Sequence, residues 1–343
     1  MNIRQQILHI PFCVNNTKTH TMEDSLIKYM EMKVHELFVE AAYDHVVVIG
    51  DYNRKNAMIS KKEKNDKLFN FHRPTAKIEG NTLYLCCYPS QEYVRHYASL
   101  IKTYLNLTCP ENKISVFYAE PSEVDCWNVL LSSNLAEAPK SKTAILGYGL
   151  DSLAQSPWVG GGPFIFSTCE TACGQSTLIG CQHSIWADAG GRVVYRLGEL
   201  GFERVIYIGK LGGLKNKFKP NETLATGSRS YINGEIVEWE NIFANIKHPS
   251  LLFGDHYNCP SVIYETKMWL KKCAAEYDFV DPEIGHMAKY AKSGGICFSY
   301  LHLVSDSLCK KFDEDLSNER NSTILAKRHE LKNKAIKEII YSI

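Results

Sequence analysis

Two short acidic segments near the end of the chain have residue types and positions that suit chemistry. Asp281 and Glu283 flank Pro282 directly before a predicted helix. Ser305 and Asp306 follow the apolar run "CFSYLHLV". A carboxylate before a helix is stabilised by the helix dipole, but it can also accept hydrogen bonds from paired hydroxyl groups such as those of a sugar. An aspartate that ends a buried strand is either a turn residue or a desolvated acid whose raised pKa lets it protonate a leaving group.

A third segment, "VIYIGKLGGL", runs from a predicted buried strand straight into glycines. Gly209, Gly212 and Gly213 would let a ligand approach the backbone closely at the carboxyl end of that strand. Lys210 could place a positive charge beside an anion. The ordinary alternative is a tight turn with a solvated lysine, and this segment alone leaves both interpretations open.

A cysteine-rich stretch, "CETACGQSTLIGCQH", raises the question of a metal site. The spacing of Cys169, Cys173, Cys181 and His183 does not match a zinc finger, a zinc ribbon or an iron–sulfur run. We therefore expect no metal, and we expect the 12 cysteines to be reduced thiols of a cytoplasmic protein. "LGYG" lacks the third glycine of a dinucleotide fingerprint, and the chain has no Walker A motif, so no cofactor is predicted.

The composition is that of an ordinary globular protein of 343 residues, with 45% hydrophobic and 22% charged residues. The 39 basic and 38 acidic residues leave a net charge of +1, which does not favour a general nucleic-acid or membrane-surface binder. No apolar run is long enough for a transmembrane helix, and "MNIRQQILHIPFCVNN" lacks the features of a signal peptide. We therefore expect no nucleic-acid or membrane partner.

The first third of the chain predicts an α/β layer structure. "HVVVIG", "NTLYLCCY" and "KISVFYAE" are typical of strands, and "SQEYVRHYASLIKTYLNL" is typical of a helix. Residues 21–24 have the pattern of a capping box, and an amphipathic run follows to about Glu40. The small, polar segment 132–142 predicts a boundary between an N-terminal α/β region, 1–135, and a second domain, 142–343.

In the second domain, buried apolar strands alternate with amphipathic helices, which predicts a three-layer α/β/α domain around a central mixed sheet. The predicted strands are "TAILGYG", "PFIFST", "RVIYIG" and "SVIYET". Helices are predicted over about 187–200 and about 318–343, and Asn233-Gly234 is a hairpin-turn signal.

The order of these features resembles the purine nucleoside phosphorylase/uridine phosphorylase superfamily, which includes the methylthioadenosine/S-adenosylhomocysteine nucleosidases and the AMP nucleosidases. The resemblance is clearest in "GELGFERVIYIGKLGGL", "VDPEIGHMAKYAKSGGI" and "LHLVSD". It covers roughly 142–343 and leaves 1–135 unexplained. It implies a nucleoside phosphorylase-like fold and cleavage of the N-glycosidic bond of a purine nucleoside or nucleotide, by hydrolysis or phosphorolysis, with release of the free base.

The resemblance also implies roles for the acidic segments. Glu283 matches the second glutamate of the family's Glu-Met-Glu motif, which holds the ribose hydroxyls, while Asp281 and Pro282 stand at the preceding two positions. Ser305-Asp306 matches the family's Ser-Asp pair, whose aspartate protonates or hydrogen-bonds the departing purine. The segment 209–213 lies where the family packs its backbone against base and sugar, or against phosphate.

Departures from the family pattern concern the nucleophile. Lys210 stands where the family usually has the Ser or Thr of a phosphate contact, and Arg192 and Arg196 are explained equally well by a surface helix face. These departures favour water as the nucleophile, with phosphate retained as a possible co-substrate. Glu170 is then a candidate base for that water, although it could equally be an ordinary loop acid.

Two functions from different classes remain open at this point. The first is an enzyme that acts on a small-molecule nucleoside or nucleotide, and family members are usually oligomers, so a homo-oligomer is expected. The second is a catalytically inactive nucleoside- or nucleotide-binding sensor, which Pro282 and Lys210 favour because both depart from the family pattern.

Overall fold

The computed structural model describes residues 7–40, 42–63 and 68–343. The N-terminal region contains a β-sheet built from β1 (Leu8–His9), β2 (His45–Ile49), β3 (Thr75–Glu79), β4 (Thr82–Cys86) and β5 (Ser115–Ala119). Its helices are α1 (Ser25–Glu31), α2 (Glu36–Glu40), α3 (Gln91–Thr108) and α4 (Glu123–Leu131). Across the sheet the strands follow the order β1-β5-β2-β4-β3. The central strand β2 is parallel to β4 and β5, as its continuous apolar run predicts.

The second region contains a larger mixed sheet. Its strands are β6 (Thr143–Gly147), β7 (Phe164–Thr171), β8 (Gly174–Cys181), β9 (Arg204–Gly213), β10 (Leu224–Thr226), β11 (Arg229–Ile232), β12 (Glu235–Glu238), β13 (Leu251–Phe253), β14 (His256–Asn258), β15 (Phe279–Asp281) and β16 (Cys297–Ser307). The helices are α5 (Asp188–Glu199), α6 (Lys267–Glu276), α7 (Ile284–Gly294), α8 (Ser322–Leu331) and α9 (Lys337–Tyr341), with a π-helical segment (Lys332–Ile336) between the last two. Within the described part of the chain, no helix has the length and apolar character needed to cross a membrane.

Three layers surround the central strand β9. Alternate side chains point to opposite faces of a strand, so Val205 and Tyr207 join the core that includes α5 and α7. Ile206 and Ile208 instead join the core formed with the C-terminal helix, which contributes Ile336. This arrangement is the three-layer α/β/α architecture with a central mixed sheet that the sequence predicts. The core on the α5 and α7 side continues into the N-terminal region, so the two sheets share buried apolar contacts.

The partner of β9 changes along one of its edges. On one side, β16 pairs with β9 in parallel along its whole length. On the other side, β6 pairs with the first half as far as Ile208, and β15 pairs antiparallel with Gly212 and Gly213. In an α/β sheet, a change of strand neighbours at the carboxyl ends of strands opens a crevice suited to ligands.

Three local predictions are wrong, each because tertiary contacts override a local pattern. The segment 209–213 continues β9 instead of forming a turn, because its glycines pair with β15 and β16. The run "SVIYET" is not a strand: Ser261 accepts a hydrogen bond from the backbone N–H of Ile263 and starts a 3₁₀ helix. The capping box at 21–24 does not form, because the backbone N–H of Thr21 donates to the carbonyl of Glu265 and Asp24 accepts from Thr17 instead, and the following helix is interrupted between α1 and α2.

Other predicted elements are present. Asn233 and Gly234 have φ angles of 49° and 90° and connect the antiparallel pair β11 and β12. The terminal helix is continuous from α8 to α9. The segment 132–142 lies between β5 and β6, and its role as a domain boundary stays a prediction.

Candidate functional site

A cavity of about 210 Å³ lies where the N-terminal region meets the carboxyl ends of β9, β15 and β16. It opens at the point where β9 changes partners. The sequence-predicted residues that line it are Gly209, Lys210, Gly212, Asp281, Pro282, Glu283, Ser305 and Asp306. Three separate segments therefore converge on one space.

A β-bulge positions Ser305 and Asp306. The register between β16 and β9 shifts between Val304 and Asp306, so Ser305 is the extra residue and Asp306 comes opposite Gly212. An ideal Cβ on Gly212 would lie 3.4 Å from a carboxylate oxygen of Asp306, so the glycine leaves room for this carboxyl group. Bulges commonly redirect side chains beside active sites.

The surroundings of Asp306 suit a proton donor. Burial raises the pKa of its carboxyl group to about 6, although the Ser305 hydroxyl, which donates a 2.7 Å hydrogen bond to Oδ1, and the charges of Lys210 and Arg328 act in the opposite direction. A carboxyl group with a pKa of about 6 exchanges its proton close to neutral pH.

Asp281 has a positioning role in the structure. Its Oδ1 accepts hydrogen bonds of 2.9 Å from the backbone N–H groups of Glu283 and Ile284, which caps the start of α7. His256 Nε2 lies 3.1 Å from Oδ1, and His302 Nε2 lies 3.5 Å from Oδ2. Burial raises the pKa of Asp281, but the two histidines outweigh it and hold the pKa below its usual range. Asp281 therefore stays ionised and fixes the backbone that carries Glu283.

Glu283 has the opposite electrostatic character. Burial and the neighbouring charge of Asp281 raise its pKa well above the usual value, and Lys210 opposes this only in part. The carboxyl group is consequently held toward its neutral form until a positive charge approaches. It can donate as well as accept a hydrogen bond in that form.

Glu265 is a further buried acid of the cavity that the sequence did not indicate. It ends the 3₁₀ helix begun by Ser261, and burial together with the charge of Asp306 raises its pKa well above the usual value. No local motif marks this residue, because the run that contains it reads as a strand.

Lys210 does not project alone into the cavity. Its ammonium group lies 2.5 Å from Glu319, which also lies 3.0 Å from Lys33 and 3.6 Å from Arg328. The carboxylate of Glu319 therefore contacts cationic side chains from the N-terminal region, from β9 and from the C-terminal helix. Neither Glu319 nor Lys33 was indicated by a sequence motif.

Aromatic side chains cover much of the cavity wall. They are Tyr29, Phe69, Tyr93, Tyr97, Tyr148, Trp186 and Tyr207. His96 stacks on Trp186 with ring centroids 4.2 Å apart, and burial followed by the charge of Lys33 lowers its pKa to about 3, which keeps it neutral. Flat aromatic walls are suited to a planar heterocycle such as a nucleobase.

Some candidate residues lie elsewhere. Glu170 is exposed on β7, where Gln175 donates a hydrogen bond to it, so it is not among the residues that line the cavity. Gly213 packs against Phe218 beside the cavity and does not line it. Arg192 is buried in ion pairs with Asp188 and Glu123.

The arrangement brings together in one cavity a carboxyl group with a pKa of about 6, a second buried carboxyl group whose pKa is raised, and an aromatic wall. Such a site can give a proton to a basic nitrogen and stabilise positive charge that develops nearby. Among the described residues, no group of three or more His, Cys, Asp or Glu side chains is arranged to hold a metal ion.

No protein-family model matches the chain, and no curated protein matches it. Among solved structures, it is similar to Helicobacter pylori MTAN, with 15% identity over 58% of this chain and 99% of that chain and a TM-score of 0.43. It is also similar to the 5′-methylthioadenosine/S-adenosylhomocysteine nucleosidase from S. pneumoniae, with 12% identity over 59% of this chain and 98% of that chain and a TM-score of 0.45. A futalosine hydrolase of Helicobacter pylori strain 26695 has 15% identity over 58% of this chain and 97% of that chain, with a TM-score of 0.43. Likenesses at these identities and TM-scores carry no conclusion about what this chain does.

Proposed function

We propose that the cavity cleaves the N-glycosidic bond of a purine nucleoside or nucleotide and releases the free base. The observation that carries the proposal is Asp306, a buried carboxyl group with a pKa of about 6 that shares one cavity with Glu283. A purine leaves easily once a ring nitrogen is protonated, and Asp306 is the group best suited to supply that proton.

Glu283 supports the same reaction from the sugar side. As the bond to the base breaks, positive charge builds on the ribose ring. That charge lowers the pKa of a nearby carboxyl group and so favours the ionised form of Glu283, and this carboxylate stabilises the transition state more than the ground state. In the bound substrate, the same carboxyl group hydrogen-bonds to the ribose hydroxyls.

We propose water as the nucleophile of this reaction, with phosphate as the alternative. Lys210 lies against Glu319, and the cation-rich cluster there is neutralised in part by that carboxylate. Glu170 does not line the cavity, so it is not positioned to activate a water molecule that attacks a substrate bound there. No protein base for that water is therefore part of the proposal.

The test is a base-release assay with purified protein across purine nucleosides and their 5′-monophosphates, with and without inorganic phosphate. We expect release of a purine base that Asp306→Asn suppresses. Tight nucleoside binding with no base release from any substrate would contradict the enzyme and support a sensor instead. The absence of both nucleoside binding and base release would overturn the enzyme and the sensor alike.

A further inference from the structure

The N-terminal region contributes to the cavity an arginine whose side chain has no hydrogen-bond or ion-pair partner among the described residues. Arg73 lines the cavity, and its Nε atom is fully buried without a hydrogen-bond partner. Among the described residues, no carboxylate forms an ion pair with its guanidinium group. A guanidinium group stays charged at every physiological pH, so a buried N–H group of this kind is costly unless a ligand satisfies it.

The carboxylate that contacts the backbone of Arg73 is already paired with another arginine. Glu63 accepts a 3.3 Å hydrogen bond from the backbone N–H of Arg73, but both of its oxygens bind the guanidinium of Arg54, at 2.6 and 3.0 Å. This bidentate pair satisfies Glu63 and leaves the side chain of Arg73 to the cavity.

The other cations of the cavity differ from Arg73 in this respect. Lys33 and Lys210 both contact Glu319, at 3.0 and 2.5 Å. The charge of Arg73 instead acts on phenol groups: burial raises the pKa of Tyr29 and Tyr93, and Arg73 acts against that rise. Arg73 thus lies among aromatic residues on the N-terminal side of the cavity, in an environment that exposes its charge to a ligand.

We propose that Arg73 binds a phosphate group, and that the N-terminal region thereby completes the site; this inference rests on the proposed function for the identity of the ligand. A guanidinium fork matches the oxygens of phosphate in a bidentate fashion. The phosphate is either the 5′-phosphate of a nucleotide or inorganic phosphate acting as the nucleophile. In the second case, a phosphate oxygen bonds to C1′ as the C1′–N bond breaks, the electron pair of that bond goes to the base, and Asp306 supplies the proton to the base.

The experiment compares Arg73→Gln with Arg196→Gln, which removes the same charge from a surface arginine paired with Glu199. Arg73→Lys is the second variant, because it retains the charge and loses the fork. Binding of adenosine, adenosine 5′-monophosphate and inorganic phosphate is measured by titration calorimetry, and base release is measured separately. Circular dichroism verifies that each variant is folded.

We expect Arg73→Gln to weaken binding of the phosphate-bearing ligand by roughly 10- to 100-fold, the range for a charge-assisted contact, and to leave adenosine binding unchanged. Arg73→Lys should lie between, and Arg196→Gln should match the wild type. Loss confined to the monophosphate identifies a nucleotide site, and loss confined to inorganic phosphate identifies the nucleophile site.

Equal binding of all three ligands by wild type and Arg73→Gln would overturn the proposal. So would an equal loss for adenosine and for the phosphate ligands. Phosphate binding that depends on Arg73, without base release from any substrate, would support the anion site and refute the proposed function. Base release and phosphate binding that are both unchanged in Arg73→Gln would support the proposed function and refute the anion site.

Discussion

Asp306 and Glu283 are carboxyl groups of similar burial whose neighbours differ, and the difference decides what each can do. Burial raises the pKa of Asp306 only to about 6, because the Ser305 hydroxyl and the charges of Lys210 and Arg328 oppose the rise. Glu283 has the ionised Asp281 as its neighbour, which adds to the effect of burial. One group can therefore exchange a proton near neutral pH, and the other responds to positive charge in its ligand.

We predict that Asp306→Asn lowers turnover of purine nucleosides by roughly 10²- to 10⁴-fold, the usual contribution of general acid catalysis. In the wild type, kcat/KM should fall as pH rises above about 6, because the protonated acid is required. The variant should lose that dependence. A nitrophenyl riboside, whose leaving group needs no proton, serves as the control: an equal loss on both substrates would rule out Asp306 as the acid.

The same pKa makes a stability prediction with a defined sign. Because the folded state binds this proton more tightly, Asp306 stabilises the protein at low pH and loses that contribution as pH rises from 3.8 to about 6. Asp306→Asn should therefore be more stable than wild type above pH 6, by at most roughly 3 kcal/mol. Urea unfolding at pH 4.5 and pH 7.5 measures the difference, and an equal effect at both pH values would contradict it.

Glu283→Ala should weaken ribonucleoside binding by roughly 10- to 100-fold and leave binding of the free base unchanged, because only the ribose contacts are removed. Titration calorimetry with a nucleoside and its base measures both. Glu170→Ala is the matched control, since this glutamate is exposed outside the cavity. Unchanged nucleoside affinity in Glu283→Ala would refute the contact with the sugar.

At the scale of elements, the glycines of β9 let other parts of the site approach its backbone. An ideal Cβ on Gly209 would lie 2.6 Å from Nε2 and 3.0 Å from Cε1 of His302, a fully buried ring that contacts Asp281. Gly209→Ala should move this ring and destabilise the protein by roughly 1–3 kcal/mol, with loss of activity through the Asp281 cap. Gly161→Ala is the control, since its Cβ would meet nothing within 4 Å. Urea unfolding of the two variants compares them, and equal stability would contradict the packing account.

The sequence predicted the individual helices and strands better than it predicted which distant residues come together in the cavity. The buried strands β2, β9 and β16 were predictable because continuous apolar runs signal strands covered on both faces. The acidic segments were also predictable, because Glu283 directly precedes a predicted helix and Asp306 follows the apolar run of a predicted strand. Arg73 and Glu265 were not, since they reach the cavity only through the packing of distant segments, and no local pattern specifies that packing.

At the scale of the whole molecule, a partly buried ionic network joins the two regions. Asp188, in the first turn of α5, accepts hydrogen bonds from the Ser90 hydroxyl and from the backbone N–H of Gln91, which begin α3. Arg192 lies 2.7 Å from Asp188 and 2.7 Å from Glu123 on α4. These contacts join α5 to α3 and α4, and the cavity between the two regions depends on them.

Two arginines on α5 test this account. Arg192→Met leaves Asp188 buried without its charge partner and should lower the free energy of unfolding by roughly 3–5 kcal/mol. Arg196→Met removes an exposed pair with Glu199 three residues away and should cost roughly 0–1 kcal/mol. Urea unfolding at pH 7 measures both. If Arg192 were instead a phosphate ligand, its replacement would weaken phosphate binding and leave stability near that of Arg196→Met, because a ligand-binding arginine does not hold two regions together.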